Sequence, residues 1–227
     1  MVKDKLKKCY LGTLFHLPHN NIYSFHHLSN TPKIDLSERK LDTKKFYSFI
    51  EKHGPYVSMR VLLNNERYNG VSTLTFDDGL EDVYTIAYKY LKKEEIPFTI
   101  FVLTDKIGQE GYITKEQFIE MIEDPLVTIG SHGKNHVHFG DSTYGTQYNE
   151  IIESKYNLRR EYNLECKYIA YPFGSYNNIT MDIVKKAGYS YGFAVKGRPL
   201  VKGNHKNPYL IPRLSIDNNT ISIYNNS

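Results

Sequence analysis

The chain of 227 residues has no tryptophan and only two cysteines. Cys9 and Cys166 stand far apart and form no metal-binding or redox spacing. A disulfide framework is therefore excluded as the basis of the fold, and both thiols are expected to be reduced. No run approaches the roughly 20 apolar residues that a membrane-spanning helix needs. The first residues are basic, Lys3 to Lys8, and an apolar patch from Tyr10 to Leu17 follows, but Thr13 and His16 interrupt it and no small-residue cleavage site comes after. That is a poor export signal, so the expectation is a cytoplasmic protein, or a trimmed form of a surface-associated one. An excess of one charge is also lacking. The net charge is +4, Lys92-Lys93 is followed at once by Glu94-Glu95, and Lys185-Lys186 stands alone. Such pairs are solvated helix faces, which excludes nucleic acid as a partner.

Internal repeats, low-complexity tracts and linkers are absent as well. The length suits a single domain over 1–227, with 1–70 as an N-terminal extension packed on a core at 71–217. What is plentiful is tyrosine, 20 residues of it. A flat ring with a polar tip suits a ligand with apolar faces and hydroxyl rims, such as a sugar, although biased genome composition produces the same count.

Short apolar runs alternate with helical patterns. Strands are predicted at 71–76, 98–103, 126–129, 168–171, 191–195 and 210–216. Helices are predicted at 43–53, with Phe46, Phe49 and Ile50 at helical spacing, and at 81–94, with Val83, Ala87, Tyr90 and Leu91 facing inward. Others are expected from the Thr114-x-x-Gln117 capping box to Glu123, over 148–161, and over 178–187 before Gly188. Alternation this regular predicts a parallel α/β architecture, an open sheet or a barrel. In either, the site lies at the carboxyl ends of the strands. Three polar clusters stand there: Asp77-Asp78, His132, and Pro172-Phe173-Gly174.

The run Thr75-Phe76-Asp77-Asp78-Gly79 ends a strand in two carboxylates. Adjacent side chains on a regular strand diverge, but Gly79 permits the bend that aims both into one mouth. The bland alternative is an Asp that caps the following helix beside a solvated neighbour. His132-x-x-x-His136 supplies two imidazoles that share a face if Gly133 to Asn135 form a helical turn. A lone histidine is more often a surface or core residue than a ligand; a pair at this spacing behind a buried strand points to a metal. Asp78 is the natural third ligand, and two His with one carboxylate leave positions open for water and substrate. Asp77 is then free to act as a base, which together makes hydrolytic machinery.

At these residues the chain resembles the polysaccharide deacetylase group (NodB homology domain, carbohydrate esterase family 4). The Thr-Phe-Asp-Asp-Gly, Ser-His-x-x-x-His and Tyr-Pro-Phe-Gly runs occur in the family's order, within a resemblance extending from Val71 to Ile216. Ala187-Gly188-Tyr189 matches its late helix–strand turn. Ser24-Phe25-His26-His27 resembles the extended N-terminal strand of a subgroup acting on poly-N-acetylglucosamine-like polymers. The resemblance implies a distorted (β/α) barrel of parallel strands. It implies Asp77 as general base, Asp78, His132 and His136 as ligands of Zn2+ or another divalent metal such as Co2+, and the Phe173 backbone N–H as an oxyanion donor. The expected partner is a carbohydrate, an N-acetylated amino sugar polymer or its precursor.

The chain also departs from the family. The C-terminal Leu-x-His that supplies an acid is replaced by Ile211-Pro212-Arg213-Leu214-Ser215-Ile216, and the Arg that precedes the Pro of the third motif is Ala170. Without tryptophan there is no Asp-Trp motif. Arg213, on a late strand, is expected to pair with Asp77 in place of the missing Arg, and His205 or His138 is a candidate for the missing acid. A carbohydrate-binding pseudo-enzyme, a small-molecule amidase on the same scaffold, and a non-haem iron oxygenase using two His and one carboxylate are the competing readings.

Overall fold

The computed structural model describes residues 20–28, 39–64, 70–195, 200 and 207–225. The apolar runs become parallel strands that close on themselves in sequence order. These are β1 (Asn21–Phe25), β2 (Ser72–Phe76), β3 (Phe98–Val102), β4 (Val127–Ser131), β5 (Tyr168–Ala170), β6 (Tyr191–Val195) and β7 (Ile211–Ser215). β1 pairs with β2, Phe25 opposite Phe76, and with β7, Tyr23 opposite Leu214, and so completes the barrel. Part of the segment before residue 71 is thus a wall of the barrel. Helices α1 (Thr43–Lys52), α2 (Met59–Asn64), α3 (Lys89–Lys93), α4 (Lys115–Glu123), α5 (Tyr144–Tyr162), α6 (Asn178–Lys186) and α7 (Ile221–Asn225) accompany the strands. None of the described helices is long and apolar enough to cross a membrane.

Helix boundaries follow local chemistry. The Thr114 hydroxyl accepts from the Gln117 N–H at 3.2 Å while the Gln117 side chain accepts from the Thr114 N–H at 2.9 Å, the reciprocal cap expected of this pair. α1 buries Phe46, Phe49 and Ile50, as its spacing predicts. The predicted helix over 81–94 is different. Val83–Tyr88 is a π-helix that passes into α3. Its wider turn rotates the following residues, so Tyr88 is fully buried and Tyr90 only partly, whereas an α-helical count points Tyr90 inward.

Two apolar bodies result. The larger lies between the strands and the surrounding helices, with Phe25, Phe76 and Phe98 packed against one another. The smaller contains Ile22, Val71, Tyr168 and Ile211, each just before its strand or within the strand's first two residues, together with Met59 and Leu62 of α2. It plugs the amino-terminal end of the barrel. Between this plug and the opposite mouth the interior turns polar, with Ser24, Thr75 and Arg213 fully buried. Cys166 is a buried free thiol, and Cys9 and the basic and apolar runs before residue 20 lie outside the described residues.

The barrel is tightly filled at Gly130 of β4, because a Cβ there would overlap the Phe101 ring. That ring in turn lies 5.1 Å beneath the Arg213 guanidinium. Gly130→Ala is expected to lower stability by about 1–3 kcal/mol through overpacking. The shift of its urea unfolding midpoint, with slope unchanged, is the measurement.

Candidate active site

The polar groups gather where the sequence analysis placed them, at the carboxyl ends of the strands. Asp77 follows β2 directly, and its N–H still donates to Phe25 O at 2.9 Å, so the barrel ladder holds its backbone. The chain then turns abruptly: Asp78 has φ 72° and Gly79 φ 75°. A side-chain-bearing residue in the left-handed region is sterically costly, and this one is followed by a glycine that enters the region freely. The two carboxylates consequently leave the strand end into one mouth, both almost fully buried. The bend that Gly79 was expected to permit begins one residue earlier, at Asp78 itself.

Asp77 meets Arg213 inside the barrel. Arg213 Nη1 donates to Asp77 Oδ1 at 2.6 Å and Nη2 to Oδ2 at 2.7 Å, a bidentate pair with the guanidinium wholly buried. Nη1 also donates to Thr75 Oγ1 at 3.1 Å, and Ser24 Oγ donates to Asp77 Oδ2 at 3.3 Å. Burial alone would raise the Asp77 carboxyl. The Arg213 charge, helped by His132 and His26, overturns that effect and holds it well below the usual carboxylate range.

Asp78, His132 and His136 converge separately. Asp78 Oδ1 lies 3.4 Å from His132 Nε2 and 3.2 Å from His136 Nε2, and the three side chains offer ligand atoms all within 4.8 Å of one another. His132 Nδ1 is 2.9 Å from the Ala170 carbonyl, which can only accept, so the proton sits on Nδ1 and the Nε2 lone pair faces Asp78. Asp78 Oδ1 is buried and has no hydrogen-bond donor among the described residues. Burial and the neighbouring Asp77 charge push its carboxyl up to about 7. The His132 lone pair facing a buried, donorless carboxylate oxygen is repulsive without a cation between them. The donor set therefore fits a divalent metal.

The histidines reach this arrangement by an unexpected route. Gly133 to Asn135 are not a helical turn; Gly133 has φ 83° and His136 φ 65°, and the segment is irregular. Side-chain spacing along a helix is not what aligns the rings. Glu150 of α5, 5 % exposed, takes that role. Its Oε2 accepts from Lys134 N at 2.7 Å and Asn135 N at 2.9 Å, and Oε1 from Asn135 Nδ2 at 3.2 Å, so one buried carboxylate shapes the loop. Sequence reasoning missed it, although an acid on the apolar stripe of a helix beside Ile151 is a readable signal.

His26 is a second missed contributor. It follows β1, is 8 % exposed, and places Nε2 3.7 Å from Asp77 Oδ2 and 3.2 Å from Arg39 Nη1. His27 beside it pairs through Nδ1 with Asp82 Oδ2 at 3.1 Å, which anchors the strand end to the start of the π-helix. Phe173 stands at the mouth, half exposed, with φ 57°. His138 does not face Asp77; its ring lies flat on Phe173, centroids 3.7 Å apart. His205 lies outside the described residues.

With this geometry in place, comparison with known proteins is informative. A sequence model described as polysaccharide deacetylase matches residues 64–192, more than half of the chain. A poly-beta-1,6-N-acetyl-D-glucosamine N-deacetylase of Staphylococcus aureus (strain MSSA476) is 28 % identical over 192 residues, covering 79 % of this chain and 62 % of that protein. The chain thus spans less than two thirds of the length of the curated relatives first matched. Among solved structures, a Streptococcus pyogenes deacetylase, PplD, in complex with acetate superposes with a TM-score of 0.76 at 24 % identity, covering 90 % of this chain and 95 % of that one. IcaB from Ammonifex degensii gives 0.75 at 22 % identity, covering 90 % and 94 %. At those identities the structures establish the barrel fold.

Two outcomes test the electrostatics. Removing Arg213 leaves Asp77 as a buried, unpaired charge, so Arg213→Ala is expected to cost about 3–5 kcal/mol in urea denaturation. Arg213→Lys should recover little of it, because an ammonium cannot make the two parallel bonds. The second concerns pH in metal-free protein. Burial pulls His26 and His136 down to about 4 and His132 to about 3, from an ordinary 6.5. Each contributes stability that is complete above pH 6.5 and is lost as pH falls towards 4, where the unfolded chain binds protons that the folded one refuses. Asp78 opposes them, holding a proton when folded up to about pH 7. Three histidines outweigh one carboxyl, so the thermal midpoint should climb between pH 4 and 6.5. A flat profile would contradict their burial in neutral form.

Proposed function

The chain belongs to the polysaccharide deacetylase family, and from that premise we propose that it is a metal-dependent hydrolase removing N-acetyl groups from amino sugars of a polysaccharide or its precursor. The observation that carries the proposal is the division of labour between adjacent carboxylates. Asp78 joins His132 and His136 in a donor set that fits Zn2+ or Co2+, while Asp77 is kept out of it by Arg213. Bound there, the metal would polarise the acetyl carbonyl and lower the pKa of water to about 7.

The protein's own groups do the rest. Asp77, held ionised by Arg213 at any pH near neutrality, accepts the proton of the attacking water. It hands the same proton on to the departing nitrogen as the C–N bond breaks, leaving acetate and a free amine. His26 Nε2, 3.7 Å from Asp77 Oδ2, stands beside this path and is better placed than His138 to help it. The Phe173 N–H, on a backbone fixed in the left-handed region, is the proposed donor to the carbonyl oxygen as charge builds on it, worth about 3 kcal/mol in the transition state. The substrate proposed is a polymer or oligomer related to poly-N-acetylglucosamine, the polymer named in the Staphylococcus relative.

Acetate release from chitooligosaccharides and poly-N-acetylglucosamine oligomers tests this, using chelator-stripped protein and then added zinc or cobalt. Activity should vanish on stripping and return with metal. Asp77→Asn should keep stoichiometric metal and lose about 100- to 10,000-fold in turnover. His132→Ala should lose metal and turnover together. An active Asp77→Asn protein would remove Asp77 as the base.

A further inference from the structure

The rings at the mouth of the site are arranged in a way that hydrolysis alone does not require. Phe173 is 48 % exposed, and its ring lies 4.3 Å from that of His136, tilted by 43°. His138 then lies on Phe173 with ring planes 1° apart and centroids at 3.7 Å, its side chain 53 % exposed. A metal-binding imidazole, a phenyl ring and a second imidazole therefore follow one another outward from the site.

The loops that carry these rings are tied together. Ser175 Oγ accepts from Gly140 N at 3.1 Å and Asn177 Nδ2 donates to Gly140 O at 2.9 Å, which joins the loop after β4 to the loop after β5. A Cβ at Gly140 would fall 2.9 Å from Ser175 Oγ and 3.0 Å from the Tyr176 backbone, so the loops approach as closely as glycine allows. Ser142 Oγ donates to His138 O at 2.7 Å, and Gly174 N to Tyr171 O at 2.8 Å. The ring pair is thus held in place before any ligand arrives, and a rigid platform binds at lower entropic cost than a mobile one. Asp141 Oδ2, itself exposed, lies 3.7 Å from His138 Nδ1.

We infer that His138, propped on Phe173, is the stacking platform for the sugar unit adjoining the one whose acetyl group is removed. This rests on the deacetylase reading and deepens it. The ligand class is an N-acetylated amino sugar of at least two or three units, whose flat apolar ring face covers the imidazole while its hydroxyl rim stays in water. His138 is a specificity-determining residue on this account, selecting for chain length.

The test uses Asp77→Asn as the parent, so that binding is measured without turnover. N-acetylglucosamine and its oligomers up to six units are titrated calorimetrically. Adding His138→Ala should weaken binding of trimers and longer oligomers by roughly fivefold to tenfold, the scale of one aromatic contact, and leave the monomer unchanged. His138→Phe should restore it. Because the chain has no tryptophan, His138→Trp introduces a single indole, and its fluorescence, excited beyond the absorption of the tyrosines, should shift with long oligomers and not with the monomer. Oligomer binding by His138→Ala equal to that of the parent would overturn the platform, as would a loss of turnover, in the Asp77 enzyme, with binding intact. A parent that shows no affinity for any oligomer would sink the deacetylase reading and the platform together, whereas parental binding untouched by His138→Ala sinks the platform alone.

Discussion

Everything at the mouth of this barrel depends on a bidentate contact made inside it, between Arg213 and Asp77. Two carboxylates side by side in a buried mouth repel each other and resist ionisation. Arg213 resolves the conflict by taking one of them, with Thr75 and Ser24 completing the shell around it. Asp78 is left as the carboxylate with a raised affinity for positive charge. The roles of the two aspartates differ because their partners differ, one a fixed guanidinium and the other a pair of imidazole nitrogens.

The pair also explains the polar interior. A guanidinium with no exposure to water needs a neutral surface beneath it and acceptors around it, and the barrel supplies the Phe101 ring and the Thr75 hydroxyl. Gly130 leaves room for that ring, and the backbone carbonyl of Ala170 on the neighbouring strand holds His132 Nδ1 at 2.9 Å.

Much of this was readable in the chain because the site is built from short motifs at strand ends, and apolar runs locate strand ends well. Asp77, Asp78, His132, His136, Phe173 and Arg213 all meet at one mouth. What was not readable has a common cause: periodicity reports which face a residue occupies on a regular element and is silent once the backbone leaves it. The left-handed turns at Asp78 and His136, the π-helix that buries Tyr88, and the stacking of His138 on Phe173 are all departures of that kind. Glu150 was overlooked differently: its place on the apolar stripe of its helix is readable, but the backbone N–H groups that it mainly binds leave no mark on side-chain pattern. The part played by β1 was hidden too, since only its pairing on both sides makes it a wall of the barrel.

That pairing sets the order in which the molecule can be completed. The two ends of the Asp77–Arg213 contact are 136 residues apart, and β1 cannot find its second neighbour until β7 exists. Contacts this distant along the chain close slowly, because a long loop must be ordered before any of them forms. A chain emerging from the ribosome would carry Asp77, Asp78, His132 and His136 before β7 is made, with the barrel still open along one seam. The last strand to arrive carries the charge that tells the two aspartates apart, so competence for chemistry and closure of the barrel come in a single event.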